Sequence, residues 1–307
     1  MLKKLVNQCT FDLKITTEEP ILVKSGDAVV SGPDMTFVRT RRKGQPEPFL
    51  PGSSLKGTLR SHAERIARTL KDKSVCGVFQ KANVEGCSWA LDDTKTPSDY
   101  AGSCPACRLF GSLRWKGRFR IGDAYLIESD RNVKPELRDG IAIDRVSGGV
   151  AGTAKFDLEV MPADVTFETR LEIINFETWQ LGWMAYLMRD LMEANLRVGT
   201  GTSRGLGRIR GALDAVTLDY IGAPDGIDTH ILGLGALTTN EDRQAYGLVQ
   251  NDRVESPAFL SPQRSAGSLR ARARMTDEEE QMAFLAAVAP AFNDYLAAIP
   301  SVPERRS

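Results

Sequence analysis

Across residues 9–16 apolar and polar side chains alternate. Cys9, Phe11, Leu13 and Ile15 fall on one side, and Asp12 and Lys14 on the other. A period of two predicts a half-buried strand. Ile21-Leu22-Val23 forms a second short apolar stretch, and residues 31–52, rich in Gly and Pro, read as a long loop. The period then changes. Leu55, Leu59, His62, Ile66 and Leu70 fall on one face of a helix that Ser53 or Ser54 can cap. Residues 76–112 show little periodicity and read as an irregular insertion. Strands are expected over 118–127, over two segments of 139–172 joined by Ser147-Gly148-Gly149, over 165–174, and from Arg208 onward. A second helix is expected over 177–196, with Leu181, Met184, Leu187, Met188 and Leu191 on its buried side. Thr276-Asp277-Glu278-Glu279 reads as a capping box for a last helix to about Ile299, broken or kinked near Pro290. Strands and helices in this order predict an α+β fold of the ferredoxin-like type carrying insertions.

Composition narrows the function. Of 307 residues, 42% are hydrophobic and 26% charged, as in a globular domain. No run approaches the ~18 apolar residues of a membrane span, and the first residues do not read as a signal peptide. A cytoplasmic location follows as the expectation. Net charge is zero, but residues 1–120 carry 21 Lys and Arg against 12 Asp and Glu, and the remainder 19 against 28. A basic first third suits a polyanion-facing surface.

Four of the five cysteines are spaced Cys76-x10-Cys87-x16-Cys104-x2-Cys107. A C-x-x-C turn offers two thiolates to one metal, and a segment without its own hydrophobic pattern gains order from it. These four are the candidate ligands of a structural zinc, while Cys9 belongs to the core. The run Gly199-Thr200-Gly201-Thr202-Ser203-Arg204-Gly205-Leu206-Gly207 follows a helix and precedes a strand, the reverse of a P-loop or dinucleotide turn. Its glycines still permit close approach to phosphates. Ser53-x-x-Lys56 matches one motif of penicillin-recognising enzymes, but the companion motifs are missing from the sequence. His62, on the apolar helix face, reads as a core histidine, and His230 lacks supporting context. Arg264, Arg270, Arg272 and Arg274 form a basic patch in the less regular segment 222–275.

Four sets of residues follow in order: Pro51-Gly52-Ser53-Ser54-Leu55-Lys56-Gly57-Thr58-Leu59-Arg60; Cys107-Arg108-Leu109-Phe110-Gly111-Ser112 with Gly117 to Ala124; Ile143-Asp144-Arg145-Val146 with Gly152-Thr153-Ala154 and Phe156-Asp157-Leu158-Glu159; and Gly199 to Gly207. In turn they resemble the first-helix signature, the exit of the cysteine lid, the thumb hairpin and the C-terminal glycine loop of the RAMP superfamily of CRISPR-associated proteins. Where the family carries a histidine before the catalytic loop, this chain has Leu22 and Val23.

The resemblance is strongest to backbone subunits of type III effector complexes. It implies a modified RNA-recognition core over residues 1–221, with the cysteine insertion at about 73–112 and the thumb at about 130–162, followed by a C-terminal extension over 222–307. It implies binding of CRISPR RNA through Ser53, Ser54, Lys56, Gly57, Arg60, Arg145, Val146, Gly201, Ser203 and Arg204. It further implies stacking with copies of itself or related subunits, association with other effector subunits, and cleavage of target RNA. The cleaving aspartate is Asp34 or Asp27, acting with Mg²⁺ or Mn²⁺. A non-catalytic RNA scaffold is the alternative.

Overall fold

The computed structural model describes residues 3–26, 33–42, 44–77, 86–87 and 96–300. The alternating segment forms β1 (Asn7–Thr17), with Cys9, Phe11, Leu13 and Ile15 buried. β2 (Arg39–Arg42) and β3 (Gln45–Leu50) follow, then helix α1 (Gly52–Leu70). The cysteine insertion contributes the short helices α2 (Thr96–Ala101) and α3 (Pro105–Phe110). Next come β4 (Phe119–Ile121), β5 (Ala124–Leu126), the hairpin β6 (Glu136–Ile143) and β7 (Val150–Val160), β8 (Thr166–Ile174), α4 (Thr178–Met192), β9 (Leu196–Arg197) and β10 (Arg208–Ile221). The rest holds β11 (His230–Leu232), α5 (Asn240–Tyr246), β12 (Arg253–Glu255), β13 (Gln263–Arg264), β14 (Arg270–Met275) and α6 (Glu278–Ala298).

β1 runs antiparallel to β10 on one side and to β8 on the other. The main sheet has the order β13-β14-β10-β1-β8-β5-β3-β2, with β4 also on β8 and β9 on β10. α1 follows β3, α4 follows β8 and α6 follows β14, and the core is a mixed α+β layer of helices on one face of an antiparallel sheet. β6 and β7 pair only with each other among the strands and stand off this sheet.

Several expectations are corrected. Residues 31–52 are not one loop: β2 and β3 form a hairpin that turns at Gly44, whose φ is +81°. Pro46 and Pro48 are tolerated because β5 pairs only with Phe49 and Leu50, leaving that edge of β3 without a ladder. The strand expected over 118–127 is split at Gly122-Asp123. The break has a use, because Asp123 Oδ1 accepts a hydrogen bond from the Gly52 amide at 2.8 Å. Asp123 therefore serves the start of α1, where Pro51 is the N-cap and neither Ser53 nor Ser54 makes a capping bond. Gly52 is required there, since a Cβ would lie 2.8 Å from the Ile121 carbonyl oxygen.

The buried stripe of α1 runs through Leu55, Leu59, Ala63 and Ala67. It is rotated from the expected face, with Leu70 half exposed and His62 only partly covered. The polar pull is specific: His62 Nε2 lies 2.5 Å from Asp190 Oδ2 on α4. The last helix is capped by Asp277 rather than Thr276, through bonds from the Glu279 and Glu280 amides. It continues through Pro290. Proline removes the bond to the carbonyl four residues back, and that residue, Ala286, faces solvent. α6 is held by stacking of Tyr295 on Trp179 (4.1 Å between ring centroids) and Phe292 on Trp183 (4.7 Å). Gly182 admits the approach, since a Cβ would meet the Val288 carbonyl oxygen at 2.5 Å.

Asp252, fully buried, accepts bonds from Thr178 N, Thr178 Oγ1 and Gly235 N at the start of α4. Burial, and then the neighbouring Glu177, push its carboxyl up to about 7 from 3.8. Between these values the folded chain holds a proton that the unfolded chain has lost. This site's contribution to stability therefore falls as pH rises from about 4 to about 7, with a limiting slope of about 1.4 kcal/mol per pH unit. Urea unfolding at several pH values should show a shallower decline for Asp252→Asn over that interval. At the start of α1, Asp123→Ala should cost about 1 kcal/mol in the same assay and Ser53→Ala less than about 0.5 kcal/mol. Equal losses would return the capping role to Ser53.

Candidate functional site

The four cysteines converge from three segments: Cys76 beyond the end of α1, Cys87, and the Cys104–Cys107 turn of α3. Their sulfur atoms all lie within 4.8 Å of one another, and all four residues are buried. Cys76 Sγ is 3.7 Å from Cys107 Sγ and 3.6 Å from Cys104 Sγ. A tetrahedral zinc with metal–sulfur bonds of ~2.3 Å has sulfur–sulfur edges of ~3.8 Å, so the set has the size and chemistry to hold such a metal. Cys104 is the N-cap of α3, and Pro105 opens that helix, which turns Cys107 back toward Cys104. Cys76 and Cys87 are pulled below the ordinary thiol range, first by hydrogen bonds from Cys104 and then from Cys107.

The basic residues of α1 brace this cluster. Arg60 bonds Glu64 Oε1 (2.9 Å), the Gly111 carbonyl (3.0 Å) and Cys107 Sγ (3.5 Å). Arg68 reaches the Cys76 carbonyl (3.0 Å) and the same Glu64 (3.1 Å). Lys56 Nζ lies 3.4 Å from the Phe119 carbonyl oxygen. Partial burial, then Arg60 and Lys116, hold its ammonium below the usual lysine range. Lys56, Arg60, Lys116, Trp115 and Cys107 line one cavity of about 510 Å³. Ser54 is partly covered on the first turn of α1, while Ser53 and Gly57 are exposed.

The other expected residues gather elsewhere. Asp34 is exposed, and its Oδ2 accepts a bond from the Asp157 amide on β7 (3.1 Å). Met35 extends this stitch, with its amide bonded to the Asp157 carbonyl and its carbonyl to the Glu159 amide. Asp157 faces Asp139 across the hairpin, next to the Lys155–Asp139 ion pair. Asp27, the other candidate, lies outside the described residues, as does Lys43 of the basic run. Leu22, Val160 and Leu206 form a small apolar cluster of their own, with Met35 and Leu158 against it. This cluster fastens three parts together: the segment of Asp34, the foot of the β6–β7 hairpin and the glycine loop.

Gly199 needs its positive φ and its bare Cα, since a Cβ would fall 2.1 Å from the Leu22 carbonyl oxygen. The loop amides are partly committed: Thr200 N bonds Leu22 O, Gly207 N bonds Pro20 O, and Arg204 N bonds Gly201 O. Ser203 and Arg204 are exposed, and Gly201 is partly covered. At the hairpin tip Asp144 Oδ1 accepts bonds from Val146 N, Ser147 N and Ser147 Oγ, an Asx-type turn. It leaves Arg145 exposed and Val146 96% exposed. Leu137, Ile141, Ile143 and Val150 are also exposed along the hairpin.

Sequence reasoning missed Asp123, Lys116 and the Asp139–Asp157 pairing. The last is visible only once the hairpin register is known. It also missed the cavity of about 620 Å³ between β2–β3 and the foot of the hairpin, lined by Arg39, Arg42, Arg131 and Lys134 among others. Arg39 is tied to Glu159, and Arg42 lies 4.4 Å from the Tyr125 ring centre.

A family model of the RAMP superfamily matches residues 14–210. The match spans more than half of the chain, which therefore belongs to the RAMP superfamily. Membership points to a CRISPR-associated, RNA-binding function among effector subunits. The curated proteins contain no match to it. Among the described residues, no helix is long and apolar enough to cross a membrane.

Purified protein should carry one zinc per chain by elemental analysis. Chelation, or Cys107→Ser, should lower the melting temperature by more than about 5 °C. Metal-free protein with an unchanged melting temperature would refute a structural zinc.

Proposed function

We propose that the chain is a backbone subunit of a type III effector complex. In this reading its core is a ferredoxin-like, modified RNA-recognition fold in the cytoplasm, and it stacks with copies of itself or related subunits along a CRISPR RNA. The observation that carries the reading is the apolar cluster of Leu22, Val160 and Leu206. It fixes Asp34, the hairpin and the glycine loop relative to one another, as a cleavage site at a displaced base requires. The hairpin acts as a thumb, its tip residues Arg145 and Val146 separating one base of the guide–target duplex. The exposed apolar residues along it then gain a partner.

Grip on the guide comes from phosphate contacts, and base pairing supplies sequence. Ser53, Ser54, Lys56 and Gly57 at the start of α1, with Gly201, Ser203 and Arg204, form this grip. Arg60 contributes chiefly by holding the cysteine element against α1. A displaced base lets the RNA backbone approach in-line geometry, in which a 2′-oxygen attacks the adjacent phosphorus and the 5′-oxygen leaves. In this reading Asp34 takes the 2′-hydroxyl proton or orients that hydroxyl. A bound Mg²⁺ or Mn²⁺ would supply charge for the phosphate oxygens. One observation favours the non-catalytic reading: among the described residues, only the cysteines converge as a group of three or more metal-ligating side chains.

Target-RNA cleavage by the assembled complex decides between the two. Asp34→Asn keeps an oxygen for the Asp157 amide and removes the charge. It should abolish regularly spaced cuts by at least about 10²-fold with target binding intact, and EDTA should do the same. Identical cuts in the variant, or none in the parent protein, would leave an RNA scaffold without this nuclease site.

A further inference from the structure

The face of the sheet opposite the helices carries a built cationic recess. The C-terminal strand β14 adds to β10 and places Arg270, Arg272 and Arg274 at alternate positions, hence on one face. Ala271 and Met275 face the other way and are buried. Arg170 on β8 joins them around a polar cavity of about 250 Å³. Two carboxylates form its floor. Asp219, only 4% exposed, takes Arg272 through two bonds of 2.8 and 3.1 Å, with Arg270 at 3.6 Å. Asp12 takes Arg170 at 2.7 Å and Arg274 at 3.4 Å. Glu172 also lines the cavity, and in the β4–β8 register it stands opposite Arg120.

Four guanidiniums carry twenty N–H donors, five each, and two carboxylates cannot saturate them. The two carboxylates, Asp219 buried and Asp12 partly so, instead fix the arginines in position, so a ligand meets preset forks. Such forks match phosphate oxygens bidentately. An incoming carboxylate ligand would compete with two carboxylates already seated. The recess offers no aromatic side chain among its lining residues, so base stacking, and the preferences it brings, is not provided. A row of three arginines on one straight strand suits a linear polyanion. Asp12, Asp219 and three of the four arginines lie outside residues 14–210.

We propose that this recess on β14, β10, β1 and β8 is a second RNA site, which binds backbone phosphates without regard to sequence. It goes beyond the function proposed above and shares with it only RNA as ligand.

The test is binding of a labelled oligouridylate to RNA-free protein over a salt series. Arg170→Gln with Arg270→Gln leaves each floor carboxylate one guanidinium and so preserves the fold, to be checked by thermal melting. This pair should weaken binding about tenfold and reduce the slope of log Kd against log salt by about 1.4, the value for two lost contacts on single-stranded RNA. Lys14→Gln with Arg210→Gln, a charge-matched pair elsewhere on the sheet, should leave both unchanged, and oligoadenylate should behave like oligouridylate. An unchanged slope in the first pair, or an equal loss in the control pair, overturns the proposal and leaves the thumb-side function standing. So does polyglutamate competing as well as RNA, or a saturable site for inorganic phosphate that the variants abolish without affecting RNA. If the parent protein binds no RNA, both readings fall together.

Discussion

β1 is the strand that every other part of the sheet depends on, because β8 and β10 both pair with it along nearly its whole length. Its alternation assigns the two faces. Cys9, Phe11, Leu13 and Ile15 face the helices, while Gln8, Asp12 and Lys14 face away. A one-residue slip would exchange these sets, so the register is fixed by burial of the first. One irregularity is allowed: Asp12 pairs with Ala215 but Leu13 with Leu213. Asp214 is the extra residue of this bulge, and it takes Lys14 Nζ at 2.6 Å. The polar face is what makes the arginine recess possible, since Asp12 belongs to it.

Long periodic segments were legible in the sequence. β1, β8, α4 and α6 fall within a few residues of their expected places because each has a face with one burial partner. Segments whose shape depends on distant contacts were not legible. The start of α1 looked like a serine cap, but Asp123 arrives from the break between β4 and β5, about seventy residues away. The stripe of α1 was rotated because Ala63 and Ala67 are small enough to pack closely, while His62 finds Asp190. The basic run at 39–42 is a strand, although its neighbours Gly44, Pro46 and Pro48 read as loop. The cysteine set was legible because thiol chemistry needs few residues. The convergence of Asp34, thumb and glycine loop was not, because it rests on five apolar residues scattered from Leu22 to Leu206.

The cysteine element and α1 share one logic. Arg60 and Arg68 both grip Glu64, a buried carboxylate within their own helix, and each sends its remaining donors into the cysteine segments. A buried carboxylate paired with partly exposed arginines, themselves spent on backbone carbonyls, does little for stability beyond its geometry. Its effect is placement: it fixes the cysteine element, and the cavity beside it, against the first turns of α1.

The charge asymmetry of the sequence is sharpened by folding rather than cancelled. Seven ion pairs of Lys or Arg among the described residues join the basic first third to the acidic remainder. Two use a base from the first third: Lys14 and Arg39. Five use its acids instead: Asp12 binds Arg170 and Arg274, Glu19 binds Arg197 and Arg208, and Glu18 binds Arg210. Cross-links of the second kind neutralise carboxylates where carboxylates are already few. Lys56 and Lys116 line one cavity with Arg60, and none of its described lining residues is Asp or Glu. A net charge of zero is thus compatible with local clusters of cationic side chains, the feature that binding of an RNA backbone uses.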